Sequence, residues 1–278
     1  MRIGIFAKTF AVTGAGPVLR AVRLAGYQAA QFNFACLGLP SMPDILPSGG
    51  CEEIARASLE TGVSIAAISG TYNMIHPDQA VRDQGMRRLG LVIGAAPAMG
   101  TELVTLCTGT RDPDDLWRWH PGNASPEAWR QLATELGRAL DHAETHGVNL
   151  GIEPELGNVV SSAALASRLI GEMGSRRLKI VLDPANLFER ASAAEIQTTV
   201  KQAVDLLAGH IVMAHAKDRR PDGSFCAAGA GVIDFGGFVR CLRGAGFDGP
   251  LITHGLAEDE APTVARFLSA AVAESVAR

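Results

Sequence analysis

The chain has 278 residues, of which 47% are hydrophobic and 19% charged, which argues against intrinsic disorder and allows one large core. Its net charge of −4, its pI near 6.0 and its scattered Lys and Arg residues argue against binding to nucleic acid or to a membrane surface. No run approaches the ~18 apolar residues of a membrane span, and five dispersed Cys residues without CxxC spacing fit reduced thiols. We therefore expect a cytoplasmic protein with a small-molecule partner, and a homo-oligomer is compatible with these features.

Short β-rich apolar runs alternate with longer amphipathic segments eight times along the chain. Ser192 and Glu195 have the spacing of a capping box, and the apolar face that follows them is predicted to stop at Gly209. Ser125 and Pro126 open another predicted helix, which is closed by a glycine. The predicted strands are 2–6, 29–33, 64–69, 102–107, 149–153, 178–183, 210–215 and 250–254. Eight such units favour a single α/β domain over residues 1–278, a closed (β/α)8 TIM barrel.

Polar side chains end four consecutive strands of this predicted barrel. They are Glu153, Asp183, His215 and His254. The carboxyl ends of barrel strands form the active face, so these side chains are predicted to share one rim. Two carboxylates and two imidazoles suit one divalent Mn, Zn, Co or Fe ion, and Mg is retained as an alternative. Each residue alone has a structural interpretation, as a turn, a cap or a core histidine.

Three stretches carry a resemblance to a known family, namely LGIEPELGN, VLDPANLF and AHAKDR. They resemble the xylose isomerase-like superfamily of sugar isomerases and epimerases, which also contains the endonuclease IV branch, and the resemblance spans essentially the whole chain. It implies metal binding by Glu153, Asp183 and His215. At the fourth ligand position the family usually has Glu, whereas this chain reads LITH, so His254 stands there. The resemblance also implies two proton-transferring glutamates, so we expect Glu153 as one catalytic base and either His254 or Glu258 as the other.

Further polar and aromatic residues follow the predicted strands, where they could contact a sugar. The long segment 108–123 contains Trp117 and Trp119 and is predicted to act as a lid, although both rings could simply seal the barrel mouth. Gln31 and Asn33 give a weaker indication of hydroxyl contacts. The predicted substrate-binding residues are Lys8, His76, Trp119, Glu155, Asn186, Lys217 and Arg219.

These features together predict a metal-dependent enzyme that isomerises or epimerises a small sugar or keto-sugar through an enediolate. A lyase or dehydratase acting on a keto-sugar is one alternative, because the glutamate of the last strand is replaced. An endonuclease IV-like repair enzyme is another, but the acidic pI and Asn186, at the position where that branch has His, argue against it. A sugar-binding protein without catalytic activity is the third.

Overall fold

Eight parallel strands close into a barrel in the computed structural model, which describes residues 1–275. The barrel strands are β1 (Ile3–Phe6), β2 (Ala29–Phe32), β3 (Ser64–Ser69), β4 (Leu103–Leu106), β5 (Asn149–Ile152), β6 (Leu178–Leu182), β7 (Ile211–Arg219) and β9 (Leu251–Thr253). The barrel closes because β1 pairs with β2 on one side and with β9 on the other, and because β6 pairs with β7. The predicted TIM barrel is confirmed, and each of the eight predicted strands is present.

Within residues 1–275, eight α-helices surround the barrel and cover the outer faces of the strands. They are α1 (Ala15–Leu24), α2 (Gly50–Thr61), α3 (Gln79–Ala95), α4 (Pro126–His146), α5 (Ala163–Met173), α6 (Ala193–Leu207), α7 (Phe235–Gly244) and α8 (Ala261–Glu274). The capping box of Ser192 and Glu195 is confirmed at the start of α6, and the Ser125 hydroxyl caps α4. Gly147 ends α4 with a φ of +69°, a backbone conformation that favours glycine. None of the helices described is long and apolar enough to cross a membrane.

The strand residues in the barrel interior form an apolar layer, separate from the larger core beneath the helices. This layer consists of Ala29, Ala67, Leu103, Val181, Met213 and Ile252. Two residues further along each strand, on the same face because side chains alternate, comes a polar residue. These polar residues are Gln31, Ser69, Thr105, Asp183, His215 and His254. The alternation of the strands therefore places a polar layer directly above an apolar one, at the carboxyl end of the barrel.

Strand β7 is longer than predicted, because its last residues form a hairpin outside the barrel. Residues 217–219 pair antiparallel with a short strand, β8 (Phe225–Ala227), which the sequence analysis missed. The connection after β8 is held by the fully buried carboxylate of Asp218. It accepts hydrogen bonds from the backbone amides of Gly229, Gly231 and Ile233, at 3.0–3.1 Å. The hairpin extends over the mouth of the barrel and brings Phe225 to the cavity described below.

Candidate active site

The four residues predicted as metal ligands lie together at the mouth. Each of Glu153, Asp183, His215 and His254 offers one ligand atom, and these atoms all lie within 4.8 Å of one another. Nδ1 of His215 is 3.2 Å from Oε1 of Glu153, and Nε2 of His254 is 3.0 Å from Oδ2 of Asp183. Asp183 is fully buried, while the other three are buried or half-buried. Two carboxylates and two imidazoles at this spacing form a group that could hold a transition-metal ion.

Hydrogen bonds from neighbouring strands fix the orientation of the His215 ring. The side-chain amide of Gln31 donates to the hydroxyl oxygens of Ser69 and Thr105, each at 3.1 Å. Its carbonyl oxygen therefore faces Nε2 of His215, at 2.8 Å, and accepts the proton that this nitrogen carries. In the neutral ring the proton is then on Nε2, and the lone pair of Nδ1 points into the cluster of four residues.

Nδ1 of His215 is a buried nitrogen without a hydrogen-bond partner among the described residues, although Glu153 lies beside it. An orphaned buried lone pair is costly unless something electropositive satisfies it. Ligating histidines commonly donate their second N–H to an oxygen acceptor, which is what Nε2 does here with Gln31. The cluster therefore fits a divalent cation, because the lone pair of this nitrogen points into it and because the four side chains are suitable metal donors.

A second network links the cluster to the loops after β5 and β6. The fully buried Asn186 donates from its amide to Oε1 of Glu153 at 2.7 Å and to Oε2 of Glu155 at 2.8 Å. Its carbonyl oxygen accepts from Nζ of Lys217 at 2.8 Å. That ammonium group also lies 3.4 Å from Oδ2 of Asp183. One amide thus orients two carboxylates and a lysine at the same time.

The charges in the cluster shift the pKa values of its members in opposite directions. Burial alone would raise the pKa of Asp183, but the charge of Lys217 and the hydrogen bond from His254 outweigh it and hold that pKa well below its usual range. Burial and the nearby charge of Glu153 raise the pKa of Glu155 to about 7. The pKa of His254 is lowered by burial and by the neighbouring His215. At neutral pH the cluster therefore combines an anionic Asp183 with a neutral His254.

A cavity of about 530 Å³ opens above the cluster at the carboxyl end of the barrel. One part of its lining is polar and includes Lys8, Gln31, Glu153, Glu155, His215, Lys217 and His254. The apolar part is formed by Phe6, Leu106, Leu116, Trp117 and Phe225. A polar lining beside aromatic rings suits a small polyhydroxylated ligand, whose hydroxyls need partners and whose C–H faces pack on rings.

Glu258 and His76 were predicted for the site but are not among the described residues that line this cavity. Glu258, predicted as an alternative base, is exposed in a short 3-10 helix, and its carboxylate accepts from the backbone amide of Ala11 at 2.9 Å. His76 accepts from the amide of Asp78 at Nδ1, and its Nε2 lies 3.0 Å from the carbonyl oxygen of Pro113. Each of these side chains therefore makes a hydrogen bond to the backbone of another loop.

Arg219 and Trp119 are also absent from the described cavity lining. The guanidinium of Arg219 is buried and donates to the backbone carbonyls of Ala185, after β6, and of Gly223, in the hairpin. It lies 3.9 Å from the centre of the Phe225 ring. Of the two tryptophans in segment 108–123, Trp117 lines the cavity and Trp119 does not, although about half of each side chain is exposed. Within this segment Arg118 and Asp112 form an ion pair.

Sequence reasoning missed several cavity residues or gave them too little weight. Gln31, which fixes His215, was only a weak indication, and Ser69 and Thr105 were not singled out. A signal for them exists, because each lies two residues after an apolar interior residue, as Asp183 does. Phe225 had no such signal, since it reaches the cavity through a hairpin that is not part of the barrel repeat.

The fold and the cluster define a class, the (β/α)8 barrels with a carboxylate and imidazole site at the carboxyl end of the strands. A family model described as "Xylose isomerase-like TIM barrel" matches residues 19–271. The chain belongs to this family, as its sequence motifs predicted. No curated protein sequence matches the chain.

Solved structures share the fold over nearly the whole chain. An L-ribulose 3-epimerase aligns with a TM-score of 0.76 at 19% identity, over 99% of this chain and 95% of the other. A 3-keto-D-glucoside 4-epimerase from E. coli aligns with a TM-score of 0.73 at 17% identity, over 100% of both chains. A probable 3-DHS dehydratase from Bacillus anthracis aligns with a TM-score of 0.76 at 11% identity, over 97% of this chain and 99% of the other. At these identities the likeness shows the fold.

Proposed function

We infer that this protein is a divalent-metal-dependent isomerase or epimerase that acts on a small sugar or keto-sugar through an enediolate. The observation that carries this inference is the convergence of four ligand-bearing side chains, one of which offers Nδ1 of His215 without a hydrogen-bond partner among the described residues. Membership of the xylose isomerase-like family and the fold shared with sugar epimerases support it. Glu153, Asp183 and His215 would hold the ion, and His254 lies beside them.

A divalent ion bound there would polarise a substrate carbonyl and the adjacent hydroxyl, and so make the C–H bond beside the carbonyl more acidic. The residues of the chain then orient the substrate and move the proton. Glu153 lines the cavity, and Asn186 orients its carboxylate, which suits Glu153 to accept a proton from carbon. Lys217 and Asn186 hold the surrounding carboxylates in place. The aromatic part of the wall restricts access of water to the reacting carbon.

Epimerisation needs a second group that returns the proton on the opposite face of the carbon. Of the two residues predicted for this role, His254 lines the cavity and Glu258 does not. We therefore assign the second transfer to His254, which would give a proton to carbon as the imidazolium and be left neutral, the form that its lowered pKa favours. Nε2 of His254 faces Asp183, which leaves Nδ1 as the atom that would exchange the proton.

A second candidate function is a lyase or dehydratase acting on a keto-sugar. The observation that favours it is His254 itself, since the cluster has one carboxylate base fewer than the pair of glutamates expected from the family resemblance. An imidazole on the last barrel strand could protonate a departing hydroxyl group instead of a carbon atom. The endonuclease IV-like and the non-catalytic alternatives gain no specific support from the site.

Metal content and proton exchange test the proposal together. We expect about one ion per chain by elemental analysis after supplementation with Mn, Zn or Co, and deuterium incorporation next to the carbonyl of a ketose in D2O. His215→Gln should lose both, whereas His142→Gln, on the exposed surface of α4, should retain both. Loss of water from the substrate, seen by mass, would select the lyase instead. Absence of bound metal after all three supplementations would refute the metal-dependent function.

A further inference from the structure

One cationic side chain in the cavity, that of Lys8, has no counter-ion among the described residues. Lys8 follows β1 directly, lines the cavity and is exposed there, and its Nζ lies 4.9 Å from the centre of the Phe6 ring. No carboxylate of residues 1–275 lies within 4.0 Å of this ammonium group. Its charge is therefore free to pair with a ligand.

The other basic groups near the cavity are already engaged. Lys217 donates to Asn186 and lies beside the anionic Asp183, so its charge is largely compensated within the cluster. Arg219 is not among the described residues that line the cavity, and its guanidinium donates to backbone carbonyls. Among the described residues that line the cavity, Lys8 is thus the lysine available to recognise an anion.

The position of Lys8 relative to the cluster matters as well. Strand β1 pairs with β9, and Lys8 and His254 follow these two neighbouring strands. A carboxylate at position 254 would put a negative charge on this side of the mouth, close to the strand of Lys8. The imidazole that stands there carries no negative charge, so the local potential is more positive than a carboxylate would leave it. The absence of a carboxylate at position 254 and the ammonium group of Lys8 therefore both make this side of the mouth more attractive to an anion.

We propose that the substrate is a sugar acid, a keto-sugar whose carboxylate pairs with Lys8 while its carbonyl group faces the four-residue cluster. This inference rests on the proposed function and adds the charge of the substrate to it. A carboxylate fits better than a phosphate, because one lysine balances a single charge. Phosphate sites in barrels use backbone amides at a helix N-terminus in addition to side chains, whereas the anion here would meet one ammonium group.

Binding of a matched pair of unreactive ligands tests the role of Lys8 directly. Xylonate and xylitol differ by one carboxylate in place of a hydroxymethyl group, and calorimetry on the metal-loaded protein compares their affinities. We expect xylonate to bind about tenfold more tightly or better, the range for a hydrogen-bonded charge. Lys8→Gln should abolish the difference and Lys8→Arg should keep it. Lys201→Gln, a charge loss on the surface of α6, is the matched control and should leave it unchanged.

Equal binding of the two ligands to the wild-type protein would overturn the inference, and so would a preference for xylonate that survives in Lys8→Gln. Deuterium exchange into ketohexuronates, ketohexoses and ketose phosphates gives a second measurement. Exchange that is fastest with ketohexuronates and depends on Lys8 supports the inference. Exchange confined to neutral ketoses, or fastest with phosphates, overturns it and leaves the proposed function standing. Absence of exchange in every substrate, together with absence of bound metal, would remove both.

Discussion

The buried carboxylate of Asp218 organises the hairpin over the barrel mouth, and its replacement gives the most direct test of the structure. Oδ1 accepts from the amides of Arg219 and Ile233 at 2.8 and 3.1 Å, and Oδ2 accepts from those of Gly229 and Gly231 at 3.1 and 3.0 Å. In Asp218→Asn one of these oxygens becomes an NH2 group. Two amides then face a donor instead of an acceptor, and the other two lose a charged acceptor.

Hydrogen bonds to charged groups contribute roughly 1.5–3 kcal/mol each, and a buried group left without a partner costs about 1–3 kcal/mol. If the effects of two lost hydrogen bonds and two weakened ones were additive, the total loss would exceed roughly 5 kcal/mol by these per-bond values. The connection after β8 can partly rehydrate, however, which reduces the loss. We therefore expect Asp218→Asn to lower the free energy of unfolding by about 3–5 kcal/mol. The loss should be accompanied by proteolytic cleavage in segment 220–234.

Urea denaturation of the metal-free protein measures the loss without a contribution from bound metal. Asp222→Asn is the matched control, because Asp222 lies in the same hairpin, is exposed and accepts only from Ser224. This control should change the stability by less than about 1 kcal/mol. If Asp218→Asn were as stable as the control, or were no more susceptible to protease, the four hydrogen bonds could not be what holds the hairpin.

Three further predictions concern the site. Asn186→Ala removes three hydrogen bonds to charged groups and should weaken metal binding about tenfold or more, measured by calorimetry, whereas Asn149→Ala at the other end of β5 should not. If Trp117 is part of a lid, the tryptophan fluorescence should change on addition of a substrate analogue; the change should persist in Trp119→Phe and vanish in Trp117→Phe, and an unchanged wild-type signal would contradict the lid. His254→Glu should retain metal but reduce the preference for xylonate over xylitol, because it adds a negative charge beside β1; an undiminished preference would contradict the electrostatic argument.

The barrel and the centre of its site could be predicted from the sequence because both follow from a short-range pattern. Alternation of apolar runs with amphipathic helices gives the strands, and the ends of the strands give the rim. Glu153, Asp183, His215 and His254 were found in this way, and the structure brings them together.

Residues that belong to connections between strands could not be placed in the same way. Glu258 is four residues from His254 in sequence, yet it is directed to the amide of Ala11, because a short 3-10 helix begins there. Phe225 enters the cavity through antiparallel pairing of β8 with the end of β7, which no barrel periodicity indicates. Contacts of this kind depend on how loops pack on one another, and the spacing along the sequence does not encode them.

The hydrogen bonds around Gln31 have a direction, and this direction selects a tautomer. With both amide protons committed to Ser69 and Thr105, the carbonyl of Gln31 has one orientation, and His215 has one nitrogen on which to carry its proton. Two hydroxyls on β3 and β4 thereby decide which atom of a ring on β7 is nucleophilic. Evolutionary change at these two unremarkable positions could alter the chemistry of the centre while every residue that touches the ion remained the same.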